Sequence, residues 1–275
     1  MVTQQAHQAF GDASSMQRLI RYVHGRLGIN LRGKESLIRQ RLQSLLWEHQ
    51  IATLRALCDL LETGPDESDL ALDLLDRMTT HHTYFFRDAG QFVPLVADAV
   101  SGDDNEQFRI WCAACSTGEE PYTLAILLAE KLGMDRFARR VSILATDISQ
   151  RAIDHGEHGE YNKGAAEHVP EGFRSKYLLR RSENCFAVHD AIRRCCVFRR
   201  LNLQLRRYPL RGPFDWIVCR NVLIYFDEPT REVIVESLAA VSKPGTGLLL
   251  GLTETISPHN RYWAAQGART FRRRT

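Results

Sequence analysis

The sequence predicts a doubly wound α/β domain with a small antiparallel β insertion, preceded by a small all-α domain. Three observations carry this. Residues 14 to 80 show apolar positions at helical spacing only. Buried strand-like runs then alternate with amphipathic helices, at Phe108–Ala113, Val141–Thr146, Pro213–Cys219 and Leu248–Leu252. That alternation breaks between Gly156 and Asn202, where short runs sit between charged turns.

Composition is that of an ordinary folded protein. The 36 basic and 33 acidic residues leave a net charge of +3, too small to imply a nucleic-acid partner. No apolar run is long enough for a transmembrane helix, and Met1 to Gln8 lacks the apolar core of a signal peptide, so a cytoplasmic location is expected. Seven cysteines in a chain without an export signal disfavour a disulfide framework. Cys112 and Cys115 have C-x-x-C spacing, but Cys112 falls in a buried strand and Cys195-Cys196 cannot both face one ion from a strand. Buried free thiols and no metal site are expected.

The helical domain, residues 1–80, is read as about four helices. Met16, Leu19, Ile20 and Val23, then Leu37, Ile38, Leu42, Leu45 and Leu46, then Leu54, Leu57, Leu60 and Leu61, and finally Leu70, Leu72, Leu74, Leu75 and Met78 recur at helical spacing, with Gly28, Gly33 and Gly64-Pro65 as breaks. Its early part is basic: Arg18, Arg21, Arg26, Arg32, Lys34, Arg39 and Arg41 stand against Glu35 between Ser14 and Leu42. This is either a solvated face or a docking surface for an acidic partner. Residues 81–107 form a linker that opens on His81-His82-Thr83-Tyr84-Phe85-Phe86-Arg87-Asp88, dense in hydroxyls, imidazoles and aromatics, followed by a short helix from Ala89 to Val100.

The α/β domain, residues 108–275, begins with the strand that runs into Cys115-Ser116-Thr117-Gly118-Glu119-Glu120-Pro121-Tyr122. Thr117 and Glu120 have the spacing of a capping box, and Pro121 suits the first turn of a helix. Ligands of α/β sheets bind at such turns. A phosphate-bearing ligand would need several glycines and no added negative charge, whereas this turn has one glycine and two glutamates. Carboxylates can accept hydrogen bonds from ribose hydroxyls or an amine, which favours a cationic, phosphate-free nucleoside cofactor such as S-adenosylmethionine. The alternative is that Glu119 and Glu120 only complement the helix dipole.

Asp147, at the end of the second strand, is placed either to bind a ribose or to cap the helix from Ser149. A helix near Pro170 to Leu179 and strands at Cys185–Val188 and Cys195–Arg199 suggest an antiparallel insertion over about 173–200. Gly212 to Phe226 resumes the sheet, Asp227 and Thr230 start another helix, and Gly267 to Arg272 supplies the last strand.

Thr80–Arg87, Ser116–Tyr122, Ala145–Ile148 and Gly212-Pro-Phe-Asp-Trp-Ile-Val-Cys-Arg-Asn-Val-Leu-Ile-Tyr-Phe226 together resemble the CheR family of chemotaxis-receptor methyltransferases over nearly the whole chain. The resemblance implies a Rossmann-like S-adenosylmethionine-dependent fold and a protein-glutamate O-methyltransferase. It implies S-adenosylhomocysteine as product and glutamate methyl esters on chemoreceptor helices as the outcome. It places His81, Thr83, Arg87, Glu120, Asp147, Asn202, Leu203, Arg220 and Asn221 around the cofactor, and Arg87 and Tyr225 nearest the transferred methyl, as positioners of an in-line attack. His81 departs from the family's usual asparagine. The acidic substrate gives the basic helices a role, so Arg18, Arg21, Arg39 and Arg41 are expected to dock receptor helices, with the enzyme a monomer. The turn Arg180 to Cys185 is short and glycine-free, unlike the additional turn of members that bind a receptor's C-terminal pentapeptide, so no such tether is expected. A nucleic-acid methyltransferase would want stacking aromatics among the basic residues, and Ser14 to Leu42 offers Tyr22 alone.

Overall fold

The computed structural model describes residues 13–65, 68–267 and 269–275. The Met1–Gln8 segment, read above as lacking a signal peptide, and Ala268 of the last-strand reading lie outside the described residues. The chain divides into two compact units. One comprises the helices up to Thr80 together with Tyr225–Thr230; the other holds His81–Ile224 and Arg231–Thr275.

The helical unit contains α1 (Ala13–Leu27), α2 (Glu35–Glu48), α3 (Leu54–Thr63) and α4 (Asp69–Met78). Each buries one apolar stripe: Met16, Leu19, Val23 and Leu27 on α1, and Ile38, Leu42 and Leu45 on α2. Thr53 and Ser68 cap α3 and α4 by accepting from the N–H groups of Ala56 and Ala71. The basic residues do not form one open face. Arg18 is tied to Asp59 at 2.8 Å and Glu62 at 2.6 Å, and Arg41 donates to the Met78 carbonyl and Thr80 hydroxyl at 3.0 Å. The partners come from α3 and from the end of α4, beyond the Ser14–Leu42 window on which the charge count rested. Tyr225–Thr230 joins this unit through a bridge between Ile29 and Phe226, an Asn30 N–H to Tyr225 carbonyl bond of 3.0 Å, and the His24–Asp227 contact at 3.0 Å.

The second unit opens with a turn at His81–Asp88, a short 3-10 segment (Ala89–Phe92) and α5 (Val93–Ser101). There follow β1 (Phe108–Ala113), α6 (Glu119–Leu132), α7 (Met134–Arg140), β2 (Val141–Asp147) and α8 (Gln150–His158). Next come β3 (Glu160–Asn162), α9 (Lys163–Glu167), α10 (Glu171–Tyr177), β4 (Leu178–Arg180), β5 (Cys185–Val188), α11 (Asp190–Arg193) and β6 (Cys196–Arg200). The chain ends with β7 (Phe214–Cys219), α12 (Glu228–Ala240), β8 (Ser242–Leu250), β9 (Trp263–Gly267) and β10 (Thr270–Arg273).

A seven-stranded sheet has the order β6-β2-β1-β7-β8-β10-β9. The first five strands are parallel, and β10 runs antiparallel to both neighbours. Strand order reverses at β1, whose flanks are β2 and β7, so the carboxyl ends of these three strands form the crevice in which such sheets bind ligands. The central strands are buried along nearly their whole length, as parallel strands covered on both faces must be.

The small sheet, β3-β5-β4, is antiparallel, but its extent corrects the expected insertion at about 173–200. It begins at Glu160, and Cys196–Arg200 is the parallel edge strand of the large sheet, paired with β2 from Ile143↔Cys196 to Asp147↔Arg200. As an edge strand β6 alternates buried and exposed residues, a pattern that sequence alone cannot tell from an antiparallel hairpin. Three-residue β3 is too short to show a period.

Candidate active site

The turn after β1 is built from unusual backbone. Ala114, Ser116 and Gly118 all have positive φ, at 61°, 51° and 98°. The turn is therefore held by its surroundings rather than by local preference. Cys115 N–H donates to the Thr146 carbonyl at 2.8 Å and Ser116 N–H to the Asp147 carboxylate at 2.8 Å, which ties the ends of β1 and β2 together. Gly118 is required twice over: its φ is left-handed, and a Cβ there would meet the Tyr161 hydroxyl at 2.8 Å and Gly156 Cα at 3.0 Å.

Gly118 is also the N-cap of α6, with no side-chain cap. The expected Thr117–Glu120 capping box is not formed, because Thr117 Oγ1 donates instead to Glu119 at 2.7 Å, and Glu120 turns toward Arg220. Burial pushes the Glu119 carboxyl up, with the Thr117 bond opposing it.

Asp147 is buried at 6 % exposure and accepts from Ser116 and, at 3.0 Å, from the Ser149 N–H. The helix cap is Ser149 itself, which accepts from Ala152 N–H. Burial raises the Asp147 carboxyl above its ordinary range, against the pull of the Ser149 N–H and of nearby His81.

Arg220 follows β7 and is the most connected group of the site, its side chain 1 % exposed. Nε donates to Gln91 at 3.0 Å, Nη1 to Glu120 at 2.8 Å, and Nη2 to the Arg87 carbonyl at 3.1 Å and to Asp88 at 3.3 Å. Its guanidinium also stands 5.1 Å from the Phe92 ring centroid. One residue thus joins the His81–Asp88 segment, the first turn of α6 and the end of β7. Glu120 is raised by burial, with Arg220 the largest opposing influence and Arg87 a lesser one.

The structure therefore brings Arg87, Glu120 and Arg220 together, and His81 near Asp147. Arg87 donates to the His82 carbonyl at 2.8 Å and lies 5.8 Å from the Tyr84 ring, so several of its five N–H groups could serve a ligand. Thr83 is half-buried beside them in sequence. Asn202 accepts from the Gln204 N–H at 2.9 Å, Leu203 is buried, and Leu201 N–H donates to the Asp147 carbonyl at 2.8 Å, so this pair follows β6 on a segment tied to the end of β2. Asn221 is left-handed at φ 58°. Tyr225 belongs to the helical unit, where Lys34 stands 5.9 Å from its ring.

Two residues escaped the sequence reading. Glu254, 3 % exposed, accepts from four backbone N–H groups: Val222 at 2.8 Å and Leu223 at 2.7 Å on Oε1, Asn221 and Gly251 at 2.7 Å on Oε2. Gln91 donates to the Leu250 carbonyl while accepting from Arg220. No periodicity marks either. The one available signal for Glu254 was an acidic residue three positions after a glycine that ends a buried strand.

The polar groups at the turn fit a nucleoside cation. Ser116 Oγ is buried with no hydrogen-bond partner among the described residues, and the carboxylates of buried Asp147 and half-buried Glu120 flank the same turn. The seven thiols are free, and burial holds those of Cys112, Cys115, Cys196 and Cys219 well above their ordinary range. Among the described residues no cluster of three or more metal-ligating side chains occurs, and no helix is long and apolar enough to cross a membrane.

Comparison with known proteins accounts for the turn chemistry. Residues 81–271 match the model of the CheR methyltransferase SAM-binding domain, and residues 14–79 that of the CheR methyltransferase all-alpha domain. The chain is similar to the chemotaxis protein methyltransferase of Borreliella burgdorferi, 36% identical with 88% of each chain covered. It is also similar to that of Escherichia coli K12, 31% identical over 96% of this chain and 91% of the relative. Chemotaxis protein methyltransferase 1 of Pseudomonas aeruginosa is 34% identical over 82% and 83%. S-adenosylmethionine is the cofactor of the matched domain, and the chain belongs to the CheR methyltransferase family.

Proposed function

We propose that this chain methylates glutamate side-chain carboxylates on the cytoplasmic helices of chemoreceptors, forming glutamate methyl esters. The observation that carries the reading is the glycine-poor acidic turn at the β1 switch point, cross-linked by Arg220 to the segment that bears Arg87, within a CheR-family chain. S-adenosylmethionine, when bound, supplies the electrophilic sulfonium methyl and leaves as S-adenosylhomocysteine. His81, Thr83, Arg87, Glu120, Asp147, Asn202, Leu203, Arg220 and Asn221 would hold it.

A substrate carboxylate, ordinarily with a pKa of about 4.3, needs no general base at neutral pH, so positioning is the protein's main task. Arg87 is assigned to orient the incoming carboxylate. Tyr225 offers a hydroxyl to hold substrate and cofactor in attack geometry. Incubation with methyl-labelled S-adenosylmethionine and a receptor cytoplasmic fragment should give label that base releases as methanol. Label that is stable to base, or none at all, would overturn the reading.

Docking by the basic helices is narrowed by the ion pairs of the helical unit. Arg18 and Arg41 have internal partners, whereas the Arg21 side chain is exposed, so Arg21 is assigned to the acidic receptor surface. Arg21→Glu should raise KM for receptor about three- to fivefold at low salt and flatten its salt dependence, without changing cofactor KM. An unchanged salt profile would remove the assignment.

The turn between β4 and β5 is closed by the N–H groups of Arg181 and Ser182 on the Cys185 carbonyl, which supports pentapeptide-independent action. Calorimetric titration with a receptor C-terminal pentapeptide is expected to give no binding heat. A Kd in the micromolar range would contradict this.

A further inference from the structure

Three aromatic contacts run from the insertion to the His81–Asp88 segment. Tyr84 lies 5.1 Å from the His168 ring, Phe86 stacks on Phe173 at 5.4 Å and 8°, and Phe85 meets Tyr161 edge-on at 4.7 Å and 76°. Consecutive residues of one wall of the site are thus each braced by the same stretch, from β3 through α10. Tyr161 also reaches the opposite wall, since its hydroxyl donates to the Thr117 carbonyl at 2.7 Å. Its ring is bounded by His155 at 5.1 Å and Tyr122 at 6.3 Å, and it is 3 % exposed.

The turn is shaped around that hydroxyl. Gly118, next to Thr117, could not carry a Cβ without meeting it at 2.8 Å. Asp147 and the Thr146 carbonyl fix residues 115 and 116 from one side, and Tyr161 fixes residue 117 from the other. A backbone with two non-glycine residues in the left-handed region keeps its form where its surroundings determine it at several points. Burial keeps the Tyr161 phenol protonated, and therefore a donor.

We propose that Tyr161, carried by the first strand of the small sheet, is a positioning residue for cofactor binding, locking the Ser116–Gly118 turn to the Tyr84–Phe86 wall. The small sheet then sets cofactor affinity, although none of its strands follows a ligand-binding end of the large sheet. The inference rests on the S-adenosylmethionine reading of the site, and the test separates the two.

Tyr161→Phe keeps the ring contacts and removes the one bond to Thr117. In the full chain, its Kd for S-adenosylhomocysteine by calorimetry should rise about three- to tenfold, as expected for losing one buried hydrogen bond. The KM for S-adenosylmethionine should rise in parallel, while kcat at saturating cofactor and KM for receptor stay within about twofold. Tyr161→Leu, which also removes the Phe85 contact, should weaken the cofactor further. A folded Tyr161→Phe protein with wild-type affinity would overturn the proposal. So would a loss spread equally over kcat, both KM values and thermal stability, which would mark a merely structural residue. Failure of the wild-type chain to bind S-adenosylhomocysteine would instead overturn the cofactor reading beneath it.

Discussion

Replacing Arg220 by methionine is expected to destabilise the protein by about 3–5 kcal/mol, because it leaves a buried charge without its partner. Urea denaturation monitored by tryptophan fluorescence would measure this. The substitution strands Glu120, which loses its 2.8 Å partner, and leaves the Arg87 carbonyl without the Nη2 donor. Cofactor affinity should fall with it, since Arg220 joins three segments of the site.

The pH dependence gives a sharper check. Burial already holds the Glu120 carboxyl above its ordinary 4.5, with Arg220 opposing. A carboxyl raised on folding binds more protons in the folded than in the unfolded state. It therefore lowers stability as pH rises from the unfolded value through the folded one. Without Arg220 the folded value climbs further, so Arg220→Met should lose stability more steeply as pH rises above about 4.5. Adding Glu120→Gln removes the titrating group and should abolish that extra slope while recovering part of the stability. If the single variant followed the wild-type pH profile, the Arg220–Glu120 pair would not be the linchpin assigned here.

Much of the framework could be read from the chain because it rests on local pattern. The strand Phe108–Ala113 is buried along nearly its whole length and ends at a turn with a helix behind it, which suffices to locate a ligand crevice. Asp147 and the acidic pair Glu119-Glu120 were legible for the same reason: the place of one at a strand end and of the other at the helix start beyond a strand follows from the alternation of elements. What escaped depends on contacts between residues far apart in sequence. Arg220 meets Glu120 across 100 positions and Gln91 across 129, and nothing near Glu120 signals that its carboxylate faces a guanidinium. The Thr117 hydroxyl had two glutamates within reach and took the nearer one, so a sound local motif gave the wrong cap. The pairing of Arg18 within the basic helices was hidden in the same way, because its acids stand more than forty residues on.

Glu254→Gln is the second substitution with a large expected effect, and it tests how the segment after β7 is held. Each Glu254 oxygen accepts two backbone N–H groups, Val222 and Leu223 on one, Asn221 and Gly251 on the other. An amide keeps one acceptor oxygen and turns its NH2 donor toward two N–H donors. One buried and one part-buried N–H group are then left unsatisfied, at about 1–3 kcal/mol each. Relaxation of the loop will recover some of this, so a net loss of about 2–4 kcal/mol is expected, read from the urea midpoint at constant m-value. The site has little room to adapt: Asn221 is left-handed, and a Cβ on Gly251 would already lie 2.7 Å from Glu254 and 2.8 Å from the Asn221 amide. Below its unfolding midpoint, the variant should still show a fall in kcat of about tenfold or more, because Asn221 to Leu223 lead in sequence into Tyr225, the residue proposed above to hold the substrate. Glu254→Asp, with the charge retained but shorter reach, should fall between the two. Native stability in Glu254→Gln would show that the carboxylate does not hold this loop. Lowered stability with unchanged kcat would show that the loop serves the fold and not the placement of Tyr225.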